Sequence, residues 1–409
     1  MDKIQQEVDH LYKNCFGKMV ASLLRFSKEI DFETAEDIVQ DTFSAALASW
    51  KSDSIPTNPS GWIYAVCKNK ALNKIKAGKK LAPLAFHERP FQPDYDFTET
   101  PFDDQQLAML FACAHPDLAP KVQVVITLKY VMNFKVEAIA KILAMSIDGV
   151  DKILVRARQK IRDERILLVV PNLSKVKDRI SIVNKIIYLI FNEGHKSSWG
   201  KEILREELCE EALLMCKALF DCKIGNKETA ALYALMLFNA ARLKARFDLS
   251  GALLDLEQQD RKLWNQDLID LGCYYMQESR SNVISSYHYE SSIAYLHCAA
   301  KDFSSTDWET ITKLYYKLIQ LNPNPFVELN YAIALYYAGR VEPAMHLLND
   351  LQQQSFLSNY YLLNATLGKI HLSLGNFKEA KEFLLKTLQQ TSFQVEKDFI
   401  QKMLDTIDD

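Results

Sequence analysis

The segment at residues 135–162, KVEAIAKILAMSIDGVDKILVRARQKIR, decides the fold class of one part of this chain. Its first nine residues place apolar side chains at helical spacing, and Ala144 and Met145 interrupt the pattern just before Ser146. Serine is a preferred helix N-cap because its hydroxyl accepts a backbone N–H of the following turn. The segment therefore predicts a helix-turn-helix whose second helix begins at Ile147.

The second helix of this motif has an apolar side and a basic side. The apolar stripe is formed by Val150, Ile153, Leu154, Ala157 and Ile161. The candidates for contact with DNA are Ser146, Lys152, Arg156, Arg158 and Lys160. This division is typical of a recognition helix that lies in the major groove, and we expect Lys152 and Arg156 to read bases there. A plain helical hairpin is the alternative interpretation.

Composition favours an all-α globular protein. The chain has 409 residues, of which 48% are hydrophobic, so it can form two or three domains with a sizeable core. Only 12 glycines and 12 prolines are present, which indicates long regular elements and few tight turns. No apolar run approaches the roughly 18 residues that span a bilayer, and the first ten residues lack a signal-peptide pattern. We therefore expect a cytoplasmic protein without membrane contact.

Charge is distributed unevenly along the chain. The formal net charge is −3, which by itself argues weakly against nucleic-acid binding. The segment at 68–80, KNKALNKIKAGKK, nevertheless contains six lysines and no acidic residue. Basic residues are concentrated in the first 170 positions, whereas later segments such as REELCEEALL are acidic. The average thus conceals a basic module that is joined to a more acidic one.

Helical spacing also marks the segment at 34–50, TAEDIVQDTFSAALASW, with Asp31 or Thr34 as its cap. Its predicted buried stripe contains Ile38, Val39, Phe43, Ala46, Leu47 and Trp50. The opposite side contains Asp37, Gln40, Asp41 and Ser44. Without further context this side is either an ordinary solvated surface or a docking surface for a basic partner.

The next helix is predicted to begin at Asn58 and Pro59, an N-cap followed by proline at the first helical position. One side of it contains Trp62, Asn69, Asn73 and Lys76, and Lys68 lies on its flank. Lysines hold phosphates, an aromatic ring stacks on a base and amides hydrogen-bond base edges, so this combination suits single-stranded nucleic acid. The alternative is that Trp62 packs in the core and the lysines only keep the surface soluble.

Taken together, TAEDIVQDTF, GWIYAVCKNKALNKIK and the helix-turn-helix ending in RARQKIR resemble regions 2 and 4 of the extracytoplasmic-function group of sigma-70 factors, over residues 6–165. The resemblance implies an alternative sigma factor that binds core RNA polymerase through its β′ clamp helices and β flap, and opens promoter DNA. It implies polymerase contacts at Asp37, Gln40 and Asp41. It implies −10 contacts at Trp62, Lys68, Asn69, Asn73 and Lys76, and −35 contacts at Ser146, Lys152, Arg156, Arg158 and Lys160.

Two features depart from the pattern of that group. Asn73 stands where such factors usually have aspartate, and lysines stand where they favour arginine. Lysine cannot form the bidentate contact with guanine that arginine forms, so these contacts become more phosphate-like.

Four domains are predicted: region 2 at 1–80, an acidic proline-containing linker at 81–106, region 4 at 107–165 and a helical extension at 166–409. In the extension, Ala332 aligns with Gly368 and Gly339 with Gly375 at an offset of 36 residues, close to a tetratricopeptide period. The repeats are clearest at 325–390 and suggest a protein or peptide partner. YLIFNEGHKSSWG and LEQQDRKLWN resemble segments of a sigma subgroup that has such an extension.

Catalysis and bound cofactors are not expected. The eight cysteines lack C-x-x-C pairs, and Cys113 with His115 is better explained by core packing than by metal binding. Glu193, His195 and either Ser197 or Ser198 lack the sequence context of a hydrolase site, so we interpret them as structural. Two other functions remain open: a helix-turn-helix regulator with a sensor domain, and a repeat-based interaction scaffold.

Overall fold

A computed structural model describes residues 3–27, 29–50, 55–79, 105–166, 168–197, 203–354, 357–358 and 360–408. Throughout these ranges the regular elements are helices, with one isolated β-bridge between Phe247 and Leu253. The all-α prediction is therefore confirmed. The chain divides into two compact units, Met1–Leu189 with Ala218–Ile224, and Ile190–Lys217 with Gly225–Asp409.

The first unit contains the predicted helices of both basic segments. Its helices are α1 (Lys3–Phe26), α2 (Phe32–Ser49), α3 (Pro59–Lys79), α4 (Gln105–Cys113), α5 (Pro120–Ile126), α6 (Val136–Ile142), α7 (Ile147–Asp163) and the first part of α8 (Leu173–His195), with a π-helical turn at Thr127–Val131. The predicted linker at 81–106 lies outside the described residues except for its last two positions, which belong to α4.

Side-chain caps begin two of these helices, α2 and α3, where the sequence predicts them. The Asp31 carboxylate accepts the Thr34 N–H at 2.9 Å and begins α2. The Asn58 side chain accepts the Gly61 N–H at 2.9 Å, directly before Pro59 at the start of α3. Each cap satisfies a backbone N–H that has no partner inside the helix, so it fixes the first turn.

The buried stripe of α2 differs from the prediction at one position. Ile38, Val39 and Phe43 are buried as expected, but Leu47 is 44% exposed, so its assignment to the core was wrong. Helix α2 packs against α1 and α3, and position 47 lies at the edge of the stripe that these neighbours cover. An apolar side chain therefore remains at the surface beside the acidic residues of α2.

Close packing joins α1 and α2 to the π-helical turn before the helix-turn-helix. A Cβ atom built on Gly17 would lie 1.8 Å from the carbonyl oxygen of Val131, so only glycine allows this approach of the two backbones. The rings of Phe32 and Tyr130 stack with centroids 4.3 Å apart. Lys129 and Glu36 form an ion pair at 3.1 Å beside these rings. The two predicted nucleic-acid-binding segments therefore belong to one compact unit.

The second unit is a series of helices that follow one another along the chain. Its helices are most of α9 (Glu206–Asp221), then α10 (Lys227–Ala240), α11 (Gln266–Glu278), α12 (Ser286–Ala299), α13 (Trp308–Leu321), α14 (Pro325–Tyr337), α15 (Val341–Gln352), α16 (Tyr361–Ser373), α17 (Phe377–Gln390) and α18 (Gln394–Asp408), with short 3-10 turns at Leu243–Arg246 and Arg261–Leu263.

Two helical hairpins correspond to the aligned repeats. Helices α14 and α15 form one pair and α16 and α17 form the next. The turns contain Gly339 at φ +78° and Gly375 at φ +76°, a left-handed backbone that favours glycine. A Cβ on Gly368 would lie 2.8 Å from the Leu384 side chain, so a small residue is required where the helices cross. The assignment of these hairpins to the tetratricopeptide family stays a prediction.

Among the residues that the structure describes, none of the helices combines the length and the apolar character that crossing a bilayer requires.

Candidate nucleic-acid interface

The outward side of α2 carries the predicted polymerase-binding residues. Asp37, Gln40 and Asp41 are all exposed, and we call these three side chains the acidic face. Leu47 lies on the same side of the helix and extends this surface by an apolar side chain. Leu47 was not predicted at this surface, because its spacing also fits the buried stripe of α2.

The predicted −10 residues lie on α3 and differ in exposure. Lys68, Asn69, Asn73 and Lys76 are exposed, whereas Trp62 is only half-buried. The Trp62 ring packs edge-on against Trp50 with centroids 5.4 Å apart. Trp62 is thus held in place by a core residue while part of its ring remains accessible, which combines both interpretations made from the sequence.

A cleft of about 470 Å³ separates the exposed sides of α2 and α3. The acidic face lines it from α2, and Lys70, Asn73 and Lys74 line it from α3. The structure therefore brings one predicted DNA-binding residue next to the predicted polymerase-binding residues. Trp62, Asn69 and Lys76 lie elsewhere on α3 and do not line this cleft.

Helices α6 and α7 form the predicted helix-turn-helix. The Ser146 hydroxyl accepts the Gly149 N–H at 3.1 Å and caps α7, so its first role is structural. Ala144 adopts a left-handed backbone with φ +49° in the turn, and the Met145 N–H donates to the Ala140 carbonyl at 2.7 Å. Val150, Leu154 and Ala157 are buried, which confirms the inward stripe at these positions.

The exposed side of α7 has a mixed chemistry. Lys152 and Arg156 are exposed, as predicted for base-reading residues. Val155 lies between them in the sequence and is 56% exposed. The sequence already indicates that Val155 is exposed, because its position falls outside the inward stripe of α7.

The remaining predicted −35 residues already contact other groups of the first unit. Arg158 lies 4.0 Å from the Glu33 carboxylate at the start of α2. Lys160 donates to the Asp117 carbonyl at 2.7 Å and lies 3.7 Å from Glu164. These two cations are less available for DNA than Lys152 and Arg156.

Alternative chemistries find little support. Burial raises the pKa of Cys113 to about 12, so its thiol stays protonated and is a poor metal ligand. In the described part of the chain, His, Cys, Asp and Glu side chains do not gather in threes suited to a metal ion. The Ser197 hydroxyl donates to Glu193 at 3.0 Å, and both side chains are buried, so this pair is a structural contact.

Comparison with protein families gives three matches. "Sigma-70 region 2" matches residues 13–80 and "Sigma-70, region 4" matches residues 108–161. "Family of unknown function (DUF6596)" matches residues 179–280. The chain is an extracytoplasmic-function-like sigma factor with a long C-terminal extension. Promoter recognition in transcription initiation is the role that these sigma regions support.

The similarity of this sigma factor to a relative extends beyond the sigma regions. The chain is 28% identical over 396 residues to an uncharacterized protein of Rhizobium meliloti (strain 1021). The alignment covers 94% of this chain and 92% of the relative. No solved structure matches. The acidic face and α3 lie within the region 2 match, and the exposed residues of α7 lie within the region 4 match.

Proposed function

We propose that this sigma factor binds core RNA polymerase through the acidic face and recognises the −10 element with α3 and the −35 element with α7. The observation that carries the proposal is the exposure of these three surfaces within segments that match sigma regions 2 and 4. The factor supplies recognition and opening of DNA, and the polymerase supplies the catalysis.

Polymerase binding rests on charge and on one apolar contact. The carboxylates of Asp37 and Asp41 suit a basic surface such as that of the β′ clamp helices, and complementary charge increases both specificity and association rate. Leu47 adds an apolar group that loses water when the surfaces join. Region 4 would bind the β flap, as the resemblance implies.

Promoter opening rests on the aromatic and amide side chains of α3. Trp62 is braced by Trp50, so it can stack on an unpaired base without losing much conformational freedom. The amides of Asn69 and Asn73 hydrogen-bond base edges, while Lys68 and Lys76 hold phosphates of the separated strand. This division assigns sequence preference to the amides and salt-dependent affinity to the lysines.

Recognition of the −35 element rests on the exposed side of α7. Lys152 and Arg156 contact base edges in the major groove, and an exposed valine suits the methyl group of thymine. We therefore add Val155 to the predicted residues. Arg158 and Lys160 hold phosphates or maintain packing, because both already have partners in the first unit.

Charge reversal tests the polymerase-binding assignment. Asp37→Lys with Asp41→Lys should weaken co-purification with core polymerase several-fold or more, with unchanged helicity in circular dichroism. The matched control is Glu206→Lys with Glu210→Lys, an exposed acidic pair on α9 with the same spacing. Equal binding by both double variants would contradict the assignment.

Regulation by the extension is the second part of the proposal. Its stacked hairpins form a surface suited to a protein or peptide partner, and the alignment with the relative covers 94% of the chain. Gly368→Val should separate α16 from α17, because the added side chain meets Leu384. Gly375→Asn is the matched control, since asparagine tolerates the left-handed backbone. We expect promoter output to fall in the first variant only, and equal output would remove the regulatory role.

A further inference from the structure

Four cations of the second unit act on one another in succession: Lys196 on Arg246, Arg246 on Arg242, and Arg242 on Arg261. Adjacent members repel one another. Burial, with the neighbouring charge of Arg242, lowers the pKa of Arg246 to about 10. Burial and the charge of Arg261 likewise lower the pKa of Arg242. We call these four residues the cationic row, and like charges held this close need a compensating group.

Backbone carbonyls compensate part of this charge. Arg246 donates to the His195 carbonyl at the end of α8, and Arg261 donates to the His297 carbonyl and, at 2.8 Å, to the Ala300 carbonyl at the end of α12. Helix C-termini carry partial negative charge, so cations are favourable there. Among the described residues, the hydrogen bond of the Arg242 side chain goes to a neutral amide, that of Asn239, at 3.1 Å.

Carboxylates are nearly missing from the cationic row. Lys196 pairs with Glu396 at 3.1 Å. For the three arginines, the described residues provide no carboxylate within 4.0 Å. All three arginines are only partly exposed. At longer range the carboxylates of Glu396 and Asp302 act on Arg246 and Arg261. The guanidinium groups thus combine restricted hydration with a positive charge that carboxylates compensate only in part, a condition that favours an anion.

Buried nitrogens without a hydrogen-bond partner among the described residues accompany these arginines. The Arg242 and Arg261 guanidinium carbons lie 5.6 and 4.7 Å from the centre of the Trp264 ring. Trp264 is only 6% exposed, and its indole N–H has no acceptor among the described residues. The ring nitrogens His195 Nε2 and His297 Nδ1 are also buried without a partner there. Helix capping explains the carbonyl contacts but leaves the indole N–H of Trp264, the two ring nitrogens and the net charge unexplained.

We propose that Arg242, Arg246, Arg261 and the indole N–H of Trp264 bind a phosphate group. Phosphate carries up to two charges and several acceptor oxygens in different directions, which matches donors that come from separate segments of the chain. The site lies outside both sigma regions and inside the segment that matches the family of unknown function. Through this site a phosphate-containing small molecule binds to the extension and regulates it, independently of polymerase binding.

Titration calorimetry on the full-length chain tests the site with inorganic phosphate, pyrophosphate and adenosine diphosphate. We expect saturable binding of at least one probe, and none of chloride at the same ionic strength. Tighter binding of the nucleotide than of pyrophosphate identifies a nucleotide as the source, and the reverse identifies free phosphates. Tighter binding of citrate than of every phosphate probe, or saturation by no phosphate probe, overturns the proposal.

Variants locate the binding in the cationic row. Arg242→Gln should weaken the best probe about tenfold, the loss expected for one charge-assisted hydrogen bond. Trp264→Phe keeps a ring beside the guanidinium groups and removes only the N–H, so it should weaken binding several-fold even if Arg242→Gln folds poorly. Arg280→Gln, an exposed arginine of the same unit, is the control and should bind normally. Unchanged affinity in Trp264→Phe and in any folded Arg242→Gln overturns the assignment.

Discussion

The arginines of the two units lie in opposite environments. On α7 of the first unit, Arg156 is exposed, and Arg158 and Arg162 reach carboxylates of α2 only at 3.9 to 4.0 Å. In the second unit, Arg242 and Arg246 are partly buried and contact a neutral amide or a helix end. Exposed ion pairs contribute little because water screens them, whereas a half-buried guanidinium loses hydration that its partners must replace.

This contrast separates exchangeable from fixed cations. Arg162 can exchange the Glu33 carboxylate for a DNA phosphate at little cost, because both side chains are more than half exposed. Arg246 cannot leave the end of α8 without exposing a carbonyl that has few other partners. The first unit therefore binds its ligand by surface exchange, and the second unit depends on its arginines for its own stability.

The largest expected effect is on stability in the second unit. Arg246→Ala should lower the free energy of unfolding by about 2 kcal/mol, since it removes a charged hydrogen bond from a helix end. Urea unfolding of the full chain measures the loss. Lys244→Ala, an exposed cation of the same 3-10 turn, should change stability little. If Arg246→Ala and Lys244→Ala have the same free energy of unfolding, Arg246 does not stabilise the second unit as described.

The next effect is on DNA affinity in the first unit. Arg156→Ala should weaken binding to a −35 duplex by about 1 to 3 kcal/mol and relax the preference at one base pair, while thermal stability stays unchanged. Arg158→Ala should instead lower affinity evenly over all sequences and reduce the salt dependence. Binding to a set of single-base variants distinguishes the two. A uniform loss in Arg156→Ala would remove it from base reading.

A smaller effect is expected at Val155. Val155→Ala should reduce −35 affinity by about 1 kcal/mol, the contribution of roughly one buried methyl group. Replacing each −35 thymine by uracil removes the complementary methyl from DNA. One such replacement should weaken the wild type and leave Val155→Ala unaffected. If every uracil duplex weakens both proteins equally, the valine does not contact a thymine methyl.

The smallest effect on stability is expected from Glu33, the exposed carboxylate that pairs with Arg158 and Arg162 of α7. Glu33→Gln removes a carboxylate near Arg158 and Arg162, and screened pairs of this kind contribute about 0 to 1 kcal/mol. Stability in urea should hardly change, and affinity for duplex DNA should rise slightly at low salt. A loss of stability as large as that of Arg246→Ala would show that the pairs on α7 are not exchangeable.

Local rules predicted the elements that carry the candidate surfaces. Capping residues and apolar spacing defined α2, α3 and α7, because N-caps and helical periodicity depend on neighbours along the chain. The exposure of Leu47 and Val155 depends on which helices cover each position, so spacing alone did not predict Leu47. The row of arginines around Trp264 joins segments far apart in sequence, and no local pattern reveals such an arrangement.

Transcription by core RNA polymerase on a genomic fragment library tests the initiation role most directly. With the full-length chain added, we predict new start sites that share two upstream sequence elements. These start sites should disappear when Asp37→Lys with Asp41→Lys replaces the wild type and persist with Glu206→Lys and Glu210→Lys. Start sites identical to those of core polymerase alone would contradict the proposed role of this chain in initiation.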